Sequence, residues 1–422
     1  MALFLYTLLL YAALPLILLR LWWRGLREPG YRRHLGERFG YYKEARPDKP
    51  LLWVHAVSVG EARASAGLVR ALAAAHPEYG LLVTCMTAAG RDTLKELHGE
   101  SAQVAWLPYD YPGSVRRFLE HFRPRLGMLV ETELWPRLLA GCAEFGVPVL
   151  LANARLSERS ALGYLRFESL ARPAVGTLAL ACAQSAEDAA RLRSLGARRV
   201  EVAGNLKFDS TPDEAKSAAG RAWRVRLGRP VLLLASTRDG EEKLLLDCLP
   251  AWDGKLLVLV VPRHPRRFDE VAQFSQSRRS RGEEPDAAHR VHLGDTMGEM
   301  DFYYAAADVA IIGGSFQPLG GQNLIEACAA GTPVVLGPSM FNFAEATRLA
   351  LQVGAAVQAD SAAHAVRMAL ELLSGSGEKE RMGAAGLALC QANRGATRRH
   401  LEYCEELLKS GSKAEVTVPA RG

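Results

Sequence analysis

The stretch from Asp308 to Pro338 constrains the fold more than any other part of the chain. Val309, Ile311 and Ile312 form a short β-branched run, and the pairs Gly313-Gly314 and Gly320-Gly321 interrupt it. A helix then opens near Asn323 and ends at Gly331, and Thr332 to Leu336 reads as the next buried strand. Strand, small-residue loop, helix and strand in that order is one unit of a parallel sheet. It is also a place for phosphate, because glycines admit a ligand close to the backbone and the first amides of a helix favour an anion. Glu326 falls one turn into that helix, where a carboxylate can accept ribose hydroxyls. A plain packing turn uses glycines in the same way, and the paired glycines alone favour that simpler reading.

The same alternation recurs through the chain. Strands are expected at 51–56, 81–87, 104–108, 126–130, 147–152, 178–183 and 200–202, and again at 231–235, 256–261 and from Val291. Between the two sets, the Ser-Thr-Pro-Asp-Glu-Ala-Lys-Ser run has linker composition, and the two halves open alike, on an apolar strand followed by a polar loop that ends in glutamate. The expected fold is α/β, with two Rossmann-like domains facing a central cleft. The expected divisions are an anchor at 1–23, a basic segment at 24–48, a first domain at 49–210, a linker at 211–228, a second domain at 229–408 closed by helices at 362–374 and 379–408, and a tail at 409–422.

Composition narrows the function. A chain of 422 residues, 49% hydrophobic and 23% charged, is long enough for two cores. A net charge of +6 suits an anionic substrate or surface. Nucleic acid is not expected, since no basic stripe interleaved with aromatics and no zinc-finger spacing occurs. The seven cysteines are scattered and read as buried thiols, and the histidines form no metal-ligand pair, so neither a metal nor a cofactor is implied.

Met1 to Leu19 is apolar and uncharged, and Arg20, Trp22, Trp23, Arg24 and Arg27 follow it. About 20 such residues just cross a hydrocarbon core, and an aromatic belt with positive charge downstream places the body in the cytoplasm. Basic residues do not precede the apolar run, so an uncleaved anchor is expected rather than a signal peptide. A central Pro15 leaves open whether the segment spans fully or lies tilted. The arginines that follow, including Arg32, Arg33 and Arg38, suit anionic lipid headgroups.

Ligands of parallel sheets bind beyond the carboxyl ends of strands, where Glu61, Glu131, Asn153, Arg263, Glu299 and the Gly313 loop all fall. Glu61 can be a general base or a charge stabilising the start of its helix. Glu131 and Glu133 point opposite ways if the extended chain continues past its strand. Paired glutamates also suit a hydrolase, but the nucleotide loop favours transfer. Lys207 taken alone is an ordinary solvated lysine.

Several segments together carry a resemblance: Glu37 to Gly40, Ser58-Val-Gly-Glu61, Glu131-x-Glu-x-Trp-Pro136, Gly204 to Asp209, Pro262-Arg263-His264, Met297-Gly298-Glu299 and Gly313 to Phe343. In order and spacing they resemble the 3-deoxy-D-manno-octulosonate (Kdo) transferases of lipopolysaccharide assembly, which are GT-B glycosyltransferases. The chain departs from that pattern at Gln322, where the family usually has His, and at Leu324-Ile325-Glu326-Ala327, where it has Pro-Leu-Glu-Pro.

The resemblance implies an inverting, metal-independent transfer of Kdo from CMP-Kdo to a phosphorylated lipid A precursor at the cytoplasmic face of the bacterial inner membrane. It gives Glu61 the role of base, Glu131 a supporting role, and Lys207 the stabilisation of negative charge. It places the nucleotide against Pro262, Arg263, Met297, Gly298, Glu299, Asn323, Leu324, Ile325 and Glu326. The donor loop is Gly313, Gly314, Ser315, Gly320 and Gly321, and Arg32, Arg33 and Arg38 meet the acceptor or the anionic membrane. A UDP-sugar transferase, a non-catalytic nucleotide-binding scaffold, and an epimerase or hydrolase of the same fold are the competing readings.

Overall fold

The computed structural model describes residues 1–422 except 46–47, 252–253, 376 and 416–422, and the side chains of 411–415 are likewise outside the description. Two compact units emerge, Met1–Asp209 with Gly395–Gly422, and Ser210–Arg394.

The first unit is built on a seven-stranded parallel sheet. Its strands are β1 (Leu51–His55), β2 (Gly80–Cys85), β3 (Gln103–Trp106), β4 (Pro124–Val130), β5 (Val149–Ala154), β6 (Leu180–Ala183) and β7 (Val200–Val202), in the order β3-β2-β1-β4-β5-β6-β7. Helices on both faces cover it, so its strands are apolar throughout rather than alternating. In β1, Leu51 and Trp53 enter one core layer while Leu52 and Val54 enter the other. The order reverses direction at β1 and β4, which opens a crevice at their carboxyl ends.

The second unit repeats the plan. Its strands are β8 (Val231–Thr237), β9 (Leu257–Pro262), β10 (Ser277–Arg278), β11 (Val291–Leu293), β12 (Val309–Ile312), β13 (Val334–Leu336) and β14 (Ala356–Gln358), ordered β10-β11-β9-β8-β12-β13-β14. Here the switch falls between β8 and β12.

Several boundaries differ from expectation for identifiable reasons. The segment read as linker, 211–228, is largely the helix Glu214–Leu227, started by the Asp213 carboxylate, which accepts the Lys216 N–H at 3.1 Å. Its polar composition marks a helix start and a solvated face, while Trp223 on its other side is buried. Gly220 lets it cross closely over the helix Met300–Ala305, since a Cβ there would lie 2.3 Å from the Phe302 carbonyl oxygen.

The helix expected at 379–408 is two helices, Glu378–Asn393 and Ala396–Glu415, parted by Gly395 at φ +96°. The second of these belongs to the first unit, where Ala396, Cys404 and Leu407 join a core layer. Asp209 holds its start by accepting the N–H groups of Gly395, at 2.6 Å, and Thr397. The expected tail therefore begins inside this helix, and its last part, 416–422, lies outside the described residues.

The N-terminal helix spans Ala2–Arg27 and is long and apolar enough to cross a membrane. After it, Arg32 and Arg33 are exposed, but Arg38 is only 1% exposed. The Arg38 guanidinium carbon lies 3.8 Å from the Trp106 ring centroid and within 6 Å of the Tyr31 and Tyr109 centroids. Neighbouring Glu37 accepts two hydrogen bonds from Arg91 and one from the Trp106 N–H. The pair thus clamps this segment onto β3, and Arg38 has no route to a headgroup.

Candidate functional site

In the first unit, β1 gives way to a short turn and then to the helix Val59–Ala75, capped by Ser58. Glu61 accepts the Val57 N–H at 2.7 Å and the Ser58 hydroxyl at 2.8 Å, while its own N–H donates to Ser58 Oγ at 3.4 Å. This is a reciprocal helix cap. The same side chain is only 8% exposed, and its pKa is pushed up to about 7. Burial is the main cause; the Ser58 hydrogen bond opposes it, and the charges of Glu131 and Glu133 add to it.

Glu131 follows β4 directly, on the other side of the switch point, at φ +62°. A left-handed turn at a residue with a Cβ is a strained conformation of the kind that clusters at functional sites. It also ends the extended alternation at Glu131, so the chain does not continue as a strand to Glu133. Both raise the pKa of Glu61, and Glu131 helps burial bring that of Glu133 to about 7. The charges of Glu131 and Glu133 thus both act on Glu61.

Lys207 Nζ lies 3.8 Å from Glu131 Oε1. Its loop is held by Asn153, another left-handed residue (φ +52°), whose Oδ1 accepts the Leu206 N–H at 3.0 Å. Gln184 donates to the Asn153 carbonyl and accepts from Asn205, which in turn accepts the Lys207 N–H. His400 closes the network. The Asn153 N–H donates to its Nε2 at 2.9 Å, so Nδ1 carries the proton and donates to the Ala396 carbonyl at 2.7 Å. Burial holds this imidazole neutral, with its pKa down at about 4. Sequence reasoning missed His400 because 247 positions separate it from Asn153 and no local pattern marks it.

In the second unit, the loops after β8 and β12 flank the switch point. The Gly313 loop is self-contained. Gly313 N–H donates to the Ala235 carbonyl, Gly314 N–H to Glu241 Oε2 at 2.6 Å, Gly320 N–H to Ser339 Oγ, and Gly321 N–H to the Gly314 carbonyl. Cβ atoms at Gly313 and Gly321 would lie 2.6 Å from Thr237 Cα and 2.2 Å from Met340 Sδ. These glycines serve close internal packing, and their amides already have acceptors. The organising residue is Glu241, wholly buried, which also accepts the Arg238 and Phe316 N–H groups. Ser315 works inward too, since its Oγ accepts the Gly337 N–H at 2.9 Å.

Beyond that loop, Gln322 Oε1 accepts from Arg263 Nε at 3.1 Å, so the residue standing where the family usually has His orients the cation. Asn323 Oδ1 accepts the Ile325 N–H and its Nδ2 donates to Glu326 Oε1 at 3.0 Å. The helix that follows, Ile325–Ala329, is shorter than expected, with buried Leu324 as its N-terminal flank. Arg263 follows Pro262 at the end of β9, and its N–H donates to the Thr237 carbonyl. Glu299 is gripped by Arg279 at 2.6 and 2.7 Å, which lowers its pKa, while Gly298 turns at φ +74° and Met297 is exposed. The carboxylate of Glu299 is thus committed to Arg279.

The family described as 3-deoxy-D-manno-octulosonic-acid transferase (kdotransferase) matches residues 33–210. A 3-deoxy-D-manno-octulosonic acid transferase of Bordetella pertussis is 46% identical over 96% of this chain and 99% of its own length. That of Haemophilus influenzae is 36% identical over 96% and 99%. Among solved structures, a glycosyltransferase from Rickettsia africae superposes with a TM-score of 0.58 at 14% identity, covering 86% of this chain and all of that one, which supports the two-domain GT-B fold alone. With near-complete coverage at 46% and 36% identity, this chain belongs to the 3-deoxy-D-manno-octulosonic acid transferases, a family of glycosyltransferases.

Proposed function

We propose that this transferase moves Kdo from CMP-Kdo to a hydroxyl of the phosphorylated lipid A precursor, with inversion and without a metal, on the cytoplasmic side of a bacterial inner membrane. The acceptor oxygen attacks the anomeric carbon, the bond from that carbon to the cytidylate oxygen breaks, and Glu61 takes the hydroxyl proton. The observation that supports this reading is Glu61 buried at the start of its helix beyond β1, its carboxyl pushed up to about 7 mainly by burial. A base poised near the working pH is the efficient one. Its place beyond β1 at the switch point is where parallel sheets receive ligands.

Lys207, 3.8 Å from Glu131, supplies positive charge in the same unit. The donor belongs to the second unit, where Arg263, oriented by Gln322, faces the leaving phosphate, and Asn323 and Glu326 meet the ribose. Cationic side chains there take over the charge stabilisation that a metal supplies elsewhere. Arg32 and Arg33 remain the candidates for acceptor phosphate.

The test is mass spectrometry of lipid A precursor incubated with CMP-Kdo and the protein. The expected product gains Kdo, chelators leave the rate unchanged, and Glu61→Gln lowers it by about 100-fold or more. A UDP-sugar donor would appear instead as tighter binding of UDP than of CMP, and an epimerase or hydrolase as turnover without lipid acceptor.

A further inference from the structure

The N-terminal helix does not stand apart from the body. Positions 3, 6, 7, 10, 13, 14, 17, 21, 24 and 25 are shielded and most of those between them are exposed, so one stripe at helical spacing faces protein from end to end. The contacts on that stripe are specific. Tyr6 donates to Asp110 Oδ2 at 3.0 Å, Arg137 donates to Thr7 Oγ1 at 2.6 Å and to the Leu3 carbonyl at 3.2 Å, and Tyr111 donates to the Leu10 carbonyl at 2.9 Å. The Tyr11 and Tyr111 rings lie 5.0 Å apart. The receiving side is rigid, because Asp110 also accepts the Arg137 and Leu138 N–H groups and so caps the helix Pro136–Glu144.

A helix that crossed a bilayer would carry residues 3–11 away from a body held on one side. These bonds instead tie those residues to it, so the opposite face is the one left for lipid. That face carries Phe4, Leu5, Leu8, Leu9, Leu16 and Leu19, with Trp22 and Trp23 toward its end. A second apolar patch lies on the helices Glu158–Leu165 and Glu168–Val175, the latter in contact with the N-terminal helix, where Leu162, Leu165 and Phe167 (68% exposed) project. Arg20, Arg27, Arg32 and Arg33 are exposed around it.

We propose that the helix lies along one leaflet of an anionic phospholipid bilayer without crossing it, its apolar face immersed together with Leu162, Leu165 and Phe167. Exposed tryptophan and arginine fit the headgroup level, and apolar area with positive charge is what binds an interfacial helix. Tyr164, on the same helix as Leu162 and Leu165, has its pKa raised by burial and then by the charge of Glu133. On the function proposed above, a lipid hydroxyl is then presented from the membrane to the unit that carries Glu61, Glu131 and Glu133; the placement of the helix does not rest on that function.

The experiment uses the full chain in sealed inside-out inner-membrane vesicles, with one epitope ahead of Met1 and another after Gly422. Protease added outside is expected to remove both equally. An N-terminal epitope protected until detergent is added means that the helix crosses, and overturns the proposal. A second measurement floats purified full chain with vesicles of phosphatidylethanolamine and phosphatidylglycerol. Leu165→Asp with Phe167→Asp is expected to weaken binding about tenfold at unchanged thermal stability, and unaltered binding removes that patch from the footprint. Failure to float, with crosslinks joining residues 4–19 of two copies, assigns the apolar face to self-association and likewise overturns the proposal.

Discussion

Glu61 caps its helix and, in the reaction proposed above, also serves as the base, and a substitution can separate the two. As a cap it offers one oxygen to the Val57 N–H and the other to the Ser58 hydroxyl; glutamine keeps an oxygen for Val57 and can donate its amide to Ser58 Oγ, but as a base it cannot lose and regain a proton. Glu61→Gln is therefore expected to fold with nearly unchanged melting and to lose transfer. The pH dependence has a definite sign. A carboxyl whose pKa rises from 4.5 unfolded to about 7 folded binds more protons when folded between those values, so its contribution to stability falls as pH rises through that window. Transfer rises through the same range as the base ionises. Measured together, wild-type protein should gain activity and lose some stability from pH 5 to 7.5, and Glu61→Gln should show neither change at this group. Lys207→Met is expected to lower the transfer rate about tenfold or more while sparing CMP affinity, because Lys207 sits beside Glu131 and not in the donor unit. Lys207 was singled out by resemblance alone, whereas the placement of Glu61, Glu131 and Arg263 at strand ends was legible in advance. The company they keep was not. A left-handed turn at Glu131 lacks the glycine that would announce it, and Asn153 meets His400 only through the tertiary fold.

At the scale of elements, the long apolar runs declared themselves and the short edges did not. β10 and β14 have two and three residues, too few for a period to show, and the helix that ends the chain was assigned to the wrong neighbour. Its attachment depends on Asp209, in the segment Gly204–Asp209 that the sequence singled out for Lys207 alone. Asp209→Ala removes the acceptor for two amides at the start of this helix and is expected to cost about 1–2 kcal/mol, read as faster hydrogen exchange across 396–410 with the second unit unaffected. Gly313→Ala probes the opposite kind of fault. A methyl group 2.6 Å from Thr237 Cα and 2.7 Å from the Ser236 carbonyl oxygen has only backbone to displace, so β8 and β12 must separate. The expected loss is about 1–3 kcal/mol of stability in the second unit, seen in its thermal transition, even though a phosphate-contact reading would predict lost affinity alone.

For the whole molecule, the decisive feature is that the chain leaves its first unit after Asp209 and returns at Gly395, so each unit keeps its own sheet and core while sharing two covalent crossings. Units of this kind unfold as separate or partly coupled transitions, and a ligand that binds one of them reports which. If the second unit holds the cytidylate, saturating CMP at about 100 times its dissociation constant stabilises that unit by about 2.7 kcal/mol, which for a domain of this size shifts its transition by roughly 5–10 °C. Protection from hydrogen exchange should then concentrate at 236–241, 262–264 and 313–326, the loops beyond β8, β9 and β12. The first unit should melt where it did before. Gln322→Ala, which removes the acceptor from Arg263 Nε, should reduce the CMP-induced shift without lowering the melting temperature of the free protein, because Gln322 is partly exposed and Arg263 would lose its orientation rather than its burial. Stabilisation of the first transition alone, or protection confined to the loops beyond β1 and β4, would place the nucleotide in the first unit. The division of labour between base and donor would then have to be reversed.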